Sequence, residues 1–123
     1  MSIDLFSSLF ILTCHYMADF VFQSNKMAMN KNRSTKWLLI HVSVYSFTVL
    51  IASILLMTSI KQVLLFVGIN FILHFIVDFI TSRMTAYFTR EEKRRPFFLT
   101  IGADQLIHTF CLLISFCMIT KNF

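Results

Sequence analysis

Three of the four histidines of this chain stand one helical turn from a carboxylate. His15 precedes Asp19 by four residues, His74 precedes Asp78 by four, and Asp104 precedes His108 by four; His41 has no acidic neighbour. On a helix, residues at i and i+4 share one face about a turn apart, so each pair can point the same way. Imidazole nitrogens and carboxylate oxygens are ordinary ligands of divalent transition metals. His15, Asp19, His41, His74, Asp78, Asp104 and His108 therefore form a candidate metal set, with zinc the first expectation. They could hold one ion with outer carboxylates, or two ions sharing an aspartate at the roughly 3.5–4 Å spacing of two-metal hydrolases. Two other readings use the same residues: a proton relay, or His–Asp pairs acting only as interhelical glue.

The elements that must position these groups are apolar. Four runs, 5–22, 37–57, 63–82 and 97–119, are each long enough to cross a hydrocarbon layer of about 30 Å as a helix. Charged residues make up 14% of the chain, against about 25% in soluble domains. A soluble protein of 123 residues could not bury four such segments, because its surface-to-volume ratio is too high. The expected fold is all-α, a single four-helix transmembrane bundle. The first run lacks a basic leader and carries His15 and Asp19, so it is expected to be a retained helix, not a signal peptide.

Charge sets the expected orientation. Lys26, Lys31, Arg33 and Lys36 lie between the first two runs, and Arg83, Arg90, Lys93, Arg94 and Arg95 between the last two; only Lys61 and Lys121 lie elsewhere. The positive-inside rule places those two basic loops in the cytoplasm and both termini outside. Topology and contact with anionic lipid headgroups account for the formal charge of +5, so no nucleic-acid partner is needed. The same loops could also draw an anionic or lipid-like substrate.

Depth gathers the seven groups. They come late in the first and third runs and early in the second and fourth, all within roughly one to three turns of the basic boundary at 1.5 Å per residue. An Asp at a helix centre costs about 2.5–3.5 kcal/mol on insertion scales. Three of them need an offset, and a metal ion supplies one. Asp19, Asp78 and Asp104 are also the candidate catalytic residues, since a carboxylate not bound to metal can act as general base. Gln23, Asn70, Ser82 and Tyr45 continue the same faces by one turn and can orient ligands. Arg83 ends the third run near the site and could contact an anionic substrate. Cys14 and Cys117 are expected to be packing residues, with Cys111 an outside candidate ligand three residues after His108. Gly68 and Gly102 suggest close helix packing.

The pattern His15-x-x-x-Asp19-Phe20-x-x-Gln23, Leu38-Leu39-x-His41, His74-x-x-x-Asp78-x-x-x-x-Arg83 and Asp104-Gln105-x-x-His108 resembles a family of small bacterial and phage membrane proteins, domain of unknown function 3307. The resemblance spans nearly the whole chain. It implies one site built from these residues, adds Gln105 to its supporting groups, and implies a bacterial or phage origin, hence the bacterial cytoplasmic membrane. It supplies no reaction. By fold-level analogy the intramembrane His and Asp ligands are similar to those of membrane-bound metal-dependent hydrolases. The expected function is metal-assisted hydrolysis near the cytoplasmic face. The alternatives are a metal-ion or proton transporter or channel, and a non-catalytic phage membrane factor acting on a host protein. Oligomeric state is not indicated.

Overall fold

A computed structural model of the chain describes residues 4–122. They are 88% helical, with no strand among them. The first helix, α1 (Leu5–Tyr16), starts at Asp4, whose carboxylate accepts the Ser7 amide at 2.8 Å, satisfying one of the orphan donors of a helix start. It continues into a π-helical turn, Met17–Val21, closed by the Phe22 N–H donating to the Met17 carbonyl at 2.9 Å. The continuous apolar helix Leu5–Val21 is about 25 Å long at 1.5 Å per residue, a little short of the roughly 30 Å hydrocarbon core. That is shorter than the sequence suggested.

The first basic loop is not featureless. It holds a short helix, α2 (Asn25–Asn30), whose Ser24 cap accepts the Met27 amide at 3.3 Å. Three long helices follow: α3 (Thr35–Leu56), α4 (Ile60–Arg90) and α5 (Arg94–Asn122). All three are long and apolar enough to cross a membrane. Each starts before its expected bound, and α4 runs beyond Ser82 to Arg90, so Arg83 is helical and not a loop residue. The charged connection shrinks to Glu91–Lys93. There the Lys93 N–H donates to Phe88 O at 2.8 Å and the Glu92 N–H to Thr89 O at 3.2 Å, the paired closure of a Schellman turn. Glu92 takes φ 55° to make it, a left-handed conformation that costs a non-glycine residue about 1–2 kcal/mol.

Helix α3 packs against α1 and α4, and α5 packs against α4 and α1. The neighbour order is thus a ring, α1–α3–α4–α5, with α1 opposite α4 and α3 opposite α5. Short turns make successive long helices antiparallel. Polarity runs opposite to that of a soluble bundle. Leu9, Phe47, Leu55, Leu64, Ile72 and Phe110 are exposed, while His41, His74, Asp78 and His108 are among the most deeply buried side chains. Exposed apolar surface on this scale fits contact with lipid, where burial of Leu or Phe against a neighbour gains little. One half of the interior is filled by Val49, Val63, Phe66, Leu112, Phe116 and Ile119. The other half holds the polar cluster.

Both glycines differ from expectation. A Cβ built on Gly68 or Gly102 would meet nothing within 4 Å, so neither is a close-packing position.

Candidate metal centre

Four side chains from three parts of the ring converge. Asp19 comes from the π turn, His41 from α3, and His74 and Asp78 from α4; all are buried, and one ligand atom of each lies within 4.8 Å of the others. His41 Nε2 is 3.0 Å from Asp19 Oδ1, 3.2 Å from Asp78 Oδ2 and 3.2 Å from His74 Nε2. His74 Nε2 is 3.5 Å from Asp19 Oδ1 and 3.6 Å from Asp78 Oδ1. Ligands bound tetrahedrally at about 2.0–2.1 Å stand about 3.3 Å from one another. The five separations bracket that value.

Their directions matter as much as their distances. Asp19 Oδ1 has no hydrogen-bond partner although two imidazole nitrogens lie within 3.5 Å. His41 Nε2 and His74 Nε2, 3.2 Å apart, can be joined by one ring donating its N–H to the other or, with both lone pairs turned inward, by a cation between them. The cluster can therefore hold a metal ion. His108 is oriented for the same purpose: its Nδ1–H donates to the Asp104 carbonyl at 2.9 Å, which leaves the Nε2 lone pair directed inward, 3.6 Å from Asp78 Oδ1. With Asp19 and Asp104 it forms a second potential ligand group. The outer Nδ1 atoms of His41 and His74 have no partner, so the support of these two rings comes from packing. Tyr45 stacks on His74 with ring centroids 3.8 Å apart.

The π turn explains how Asp19 arrives. One widened turn shifts the helix face beyond it, and such turns often mark functional sites. Asp19 consequently reaches His41 and His74, while His15, four residues earlier, does not. His15 Nε2 instead meets Gln105 Oε1 at 3.0 Å, and His15 belongs to neither potential ligand group. Gln105 is the hub of this side. Its amide nitrogen donates to Asp19 Oδ2 and Asp104 Oδ2, both at 2.9 Å. Thr81 completes the support by donating to Asp104 Oδ1 at 2.5 Å.

Other candidates lie apart. The Asn70 amide donates to Ser115 Oγ and Phe66 O, both at 2.9 Å, pinning α4 to α5 one turn from the cluster. Arg83 donates to Phe79 O at 2.8 Å and lies 3.6 Å over its ring. Cys111 joins no potential ligand group among the described residues. Gln23 lines a cleft of about 350 Å³ that reaches Asp19, Asp104 and Gln105 from the basic end of the bundle, and its Oε1 is unpaired.

Lys31 departs most from expectation. Read as a loop charge, it enters the site from the end of α2 and donates to Asp78 Oδ2 at 2.8 Å. A lysine in a basic connection looks the same in sequence whether it faces lipid or a buried carboxylate, so no signal marked it. Thr81 was missed too, because Thr at a helix–helix contact is commonplace.

No curated protein and no solved structure matches the chain. The family model described as Protein of unknown function (DUF3307) matches residues 6–123, and the chain therefore belongs to that family.

Proposed function

We propose that the chain is a four-pass membrane protein whose basic end faces the cytoplasm, and that it is a metal-dependent hydrolase with zinc as its first candidate ion. The observation that carries this reading is the set of 3.0–3.6 Å separations among Asp19, His41, His74 and Asp78, adjoining a cleft that reaches two carboxylates. Asp19, His41, His74 and Asp78 would hold the ion, with His108 as a further ligand. The ion would supply Lewis acidity and lower the pKa of water at the site. Asp104, tethered by Gln105 and Thr81, is the carboxylate best placed to serve as general base, since it lines the cleft and stands outside the first ligand group. Lys31 would leave Asp78 or move outward as the ion enters.

A second reading, proton or metal-ion transfer, draws support from the row of imidazoles. The ring centroids run His15–His108 5.6 Å, His108–His74 4.1 Å and His74–His41 5.3 Å. Against it, the other half of the interior is mostly apolar, with Ser7, Ser53 and Gln62 buried there beside the satisfied Asn70–Ser115 pair.

The test is elemental analysis of protein purified in detergent without added metal, beside variants His41→Ala and His74→Ala. We expect one or two equivalents of metal in the native chain, a sharp loss in each variant, and metal-dependent cleavage of ester substrates. Native protein that is metal-free and indifferent to chelators would sink the metal reading and promote the proton relay. Flux through reconstituted liposomes without hydrolysis would select transport. Labelling of introduced cysteines in intact cells reports orientation; an external impermeant reagent reaching position 31 or 93 would reverse it.

A further inference from the structure

Next to the cleft at Asp19 and Asp104 lies a second one, about 610 Å³, between α2 and the end of α4. Lys31, Arg33, Arg83 and Arg90 line it, and no carboxylate does. Among the described residues Arg33, Arg83 and Arg90 form no ion pair; Lys31 alone is matched, by Asp78. Solvated cations on a basic loop are ordinarily mobile. Arg83 is not, being held by its bond to Phe79 O and by the Phe79 ring, with most of its guanidinium donors left unused. Ser82 lines both clefts, and its buried hydroxyl has no partner.

We infer that this cleft binds the phosphate of a phosphomonoester. A fixed guanidinium with a free fork of donors is suited to phosphate oxygens, with neighbouring cations balancing a dianion. A diffuse headgroup contact needs neither the fixed arginine nor the unpaired hydroxyl. Lys31, Ser82 and Thr85 belong to both clefts, so a phosphate held by the arginines sits beside the approach to Asp104. That this ester is what the metal centre cleaves rests on the hydrolase reading; the binding does not.

Calorimetry on chelator-treated protein in a neutral detergent separates the two. The probes are inorganic phosphate and dihexanoyl phosphatidic acid, with dihexanoyl phosphatidylcholine and sodium chloride at matched ionic strength as controls. We expect saturable binding of at least one phosphate probe, weakened about tenfold or more by Arg83→Gln and by Arg33→Gln, as for loss of one charge-assisted contact. Arg95→Gln removes the same charge outside the cleft and should change binding less than about twofold. Binding of the lipid alone identifies a headgroup as the source of the phosphate; equal binding of both probes identifies the free anion. Equal weakening by Arg83→Gln and Arg95→Gln, or no preference over the choline lipid, overturns the site. Binding that persists in a protein with no hydrolase activity upholds the cleft and removes only its link to catalysis.

Discussion

Lys31→Met should tighten zinc binding. Lys31 Nζ stands 2.8 Å from Asp78 Oδ2, and an ion held by that carboxylate would lie about 2.0–2.2 Å from its oxygen. The two cations would then be separated by about 5 Å at most. Their repulsion, 332 × 2/(ε × 5), is about 7 kcal/mol at an effective dielectric of 20 and about 2 kcal/mol at water-like screening. The Lys31 side chain keeps 19% of its surface exposed, enough to swing away from the ion, so the lower figure is the better guide. Removing the ammonium should therefore lower the zinc Kd about thirtyfold. Competition against a chromophoric chelator in detergent measures it, with Lys36→Met, an exposed cation in the first turn of α3, expected to shift the Kd less than about threefold. An unchanged or higher Kd in Lys31→Met would refute the reasoning: Asp78 would then be a structural partner of Lys31 and not a ligand.

Three further outcomes follow from the packing. Gln105→Leu strips hydrogen bonds from His15, Asp19 and Asp104 at once and should cost the metal-free protein about 2–4 kcal/mol in denaturant unfolding; a loss below about 0.5 kcal/mol would show that water replaces the amide. Gly68→Ala and Gly102→Ala, with open space around each Cβ, should each stabilise by up to about 1 kcal/mol through helix propensity, and destabilisation would indicate a helix partner at that position. Glu92→Gly relieves the left-handed residue and should raise stability by about 0.5–1 kcal/mol, the relief exceeding the added chain entropy; a lower melting temperature would contradict the strain.

Spacing and hydropathy made the helices legible because a membrane span is long and its apolar signal is repeated many times. The i,i+4 rule likewise placed His74 with Asp78 and Asp104 with His108 on single faces. It failed to order the groups across helices, since that depends on how each helix is rotated. His15 and Asp19 share a spacing with the other pairs, yet His15 meets Gln105 while Asp19, carried on the π turn, meets both Gln105 and His41. Nothing in Met17–Val21 announces a widened turn; its residues suit an α-helix equally well. Spacing alone aligns Asn70 with His74, while the hydroxyl it bonds lies on the neighbouring helix α5 at Ser115. Lys31 shows the same limit from the other side: a flexible four-carbon stem lets a loop cation reach a buried carboxylate, and composition cannot tell which it does.

The short first helix has a consequence for how the chain is made. Leu5–Val21 offers some eight strongly apolar side chains at about −0.3 to −0.6 kcal/mol each, against about +2.5 to +3.5 kcal/mol for Asp19 alone. With His15 added, the segment is poised near zero for entry into lipid by itself. Its aspartate finds company only when His41 on α3 and Gln105 on α5 are present. Biogenesis should therefore be delayed and cooperative: a nascent chain ending soon after Val21 would fail to insert stably, and extension through α3 would secure it. Glycosylation mapping of truncated chains reads this directly, and full insertion of the first segment alone would show that its apolar residues suffice.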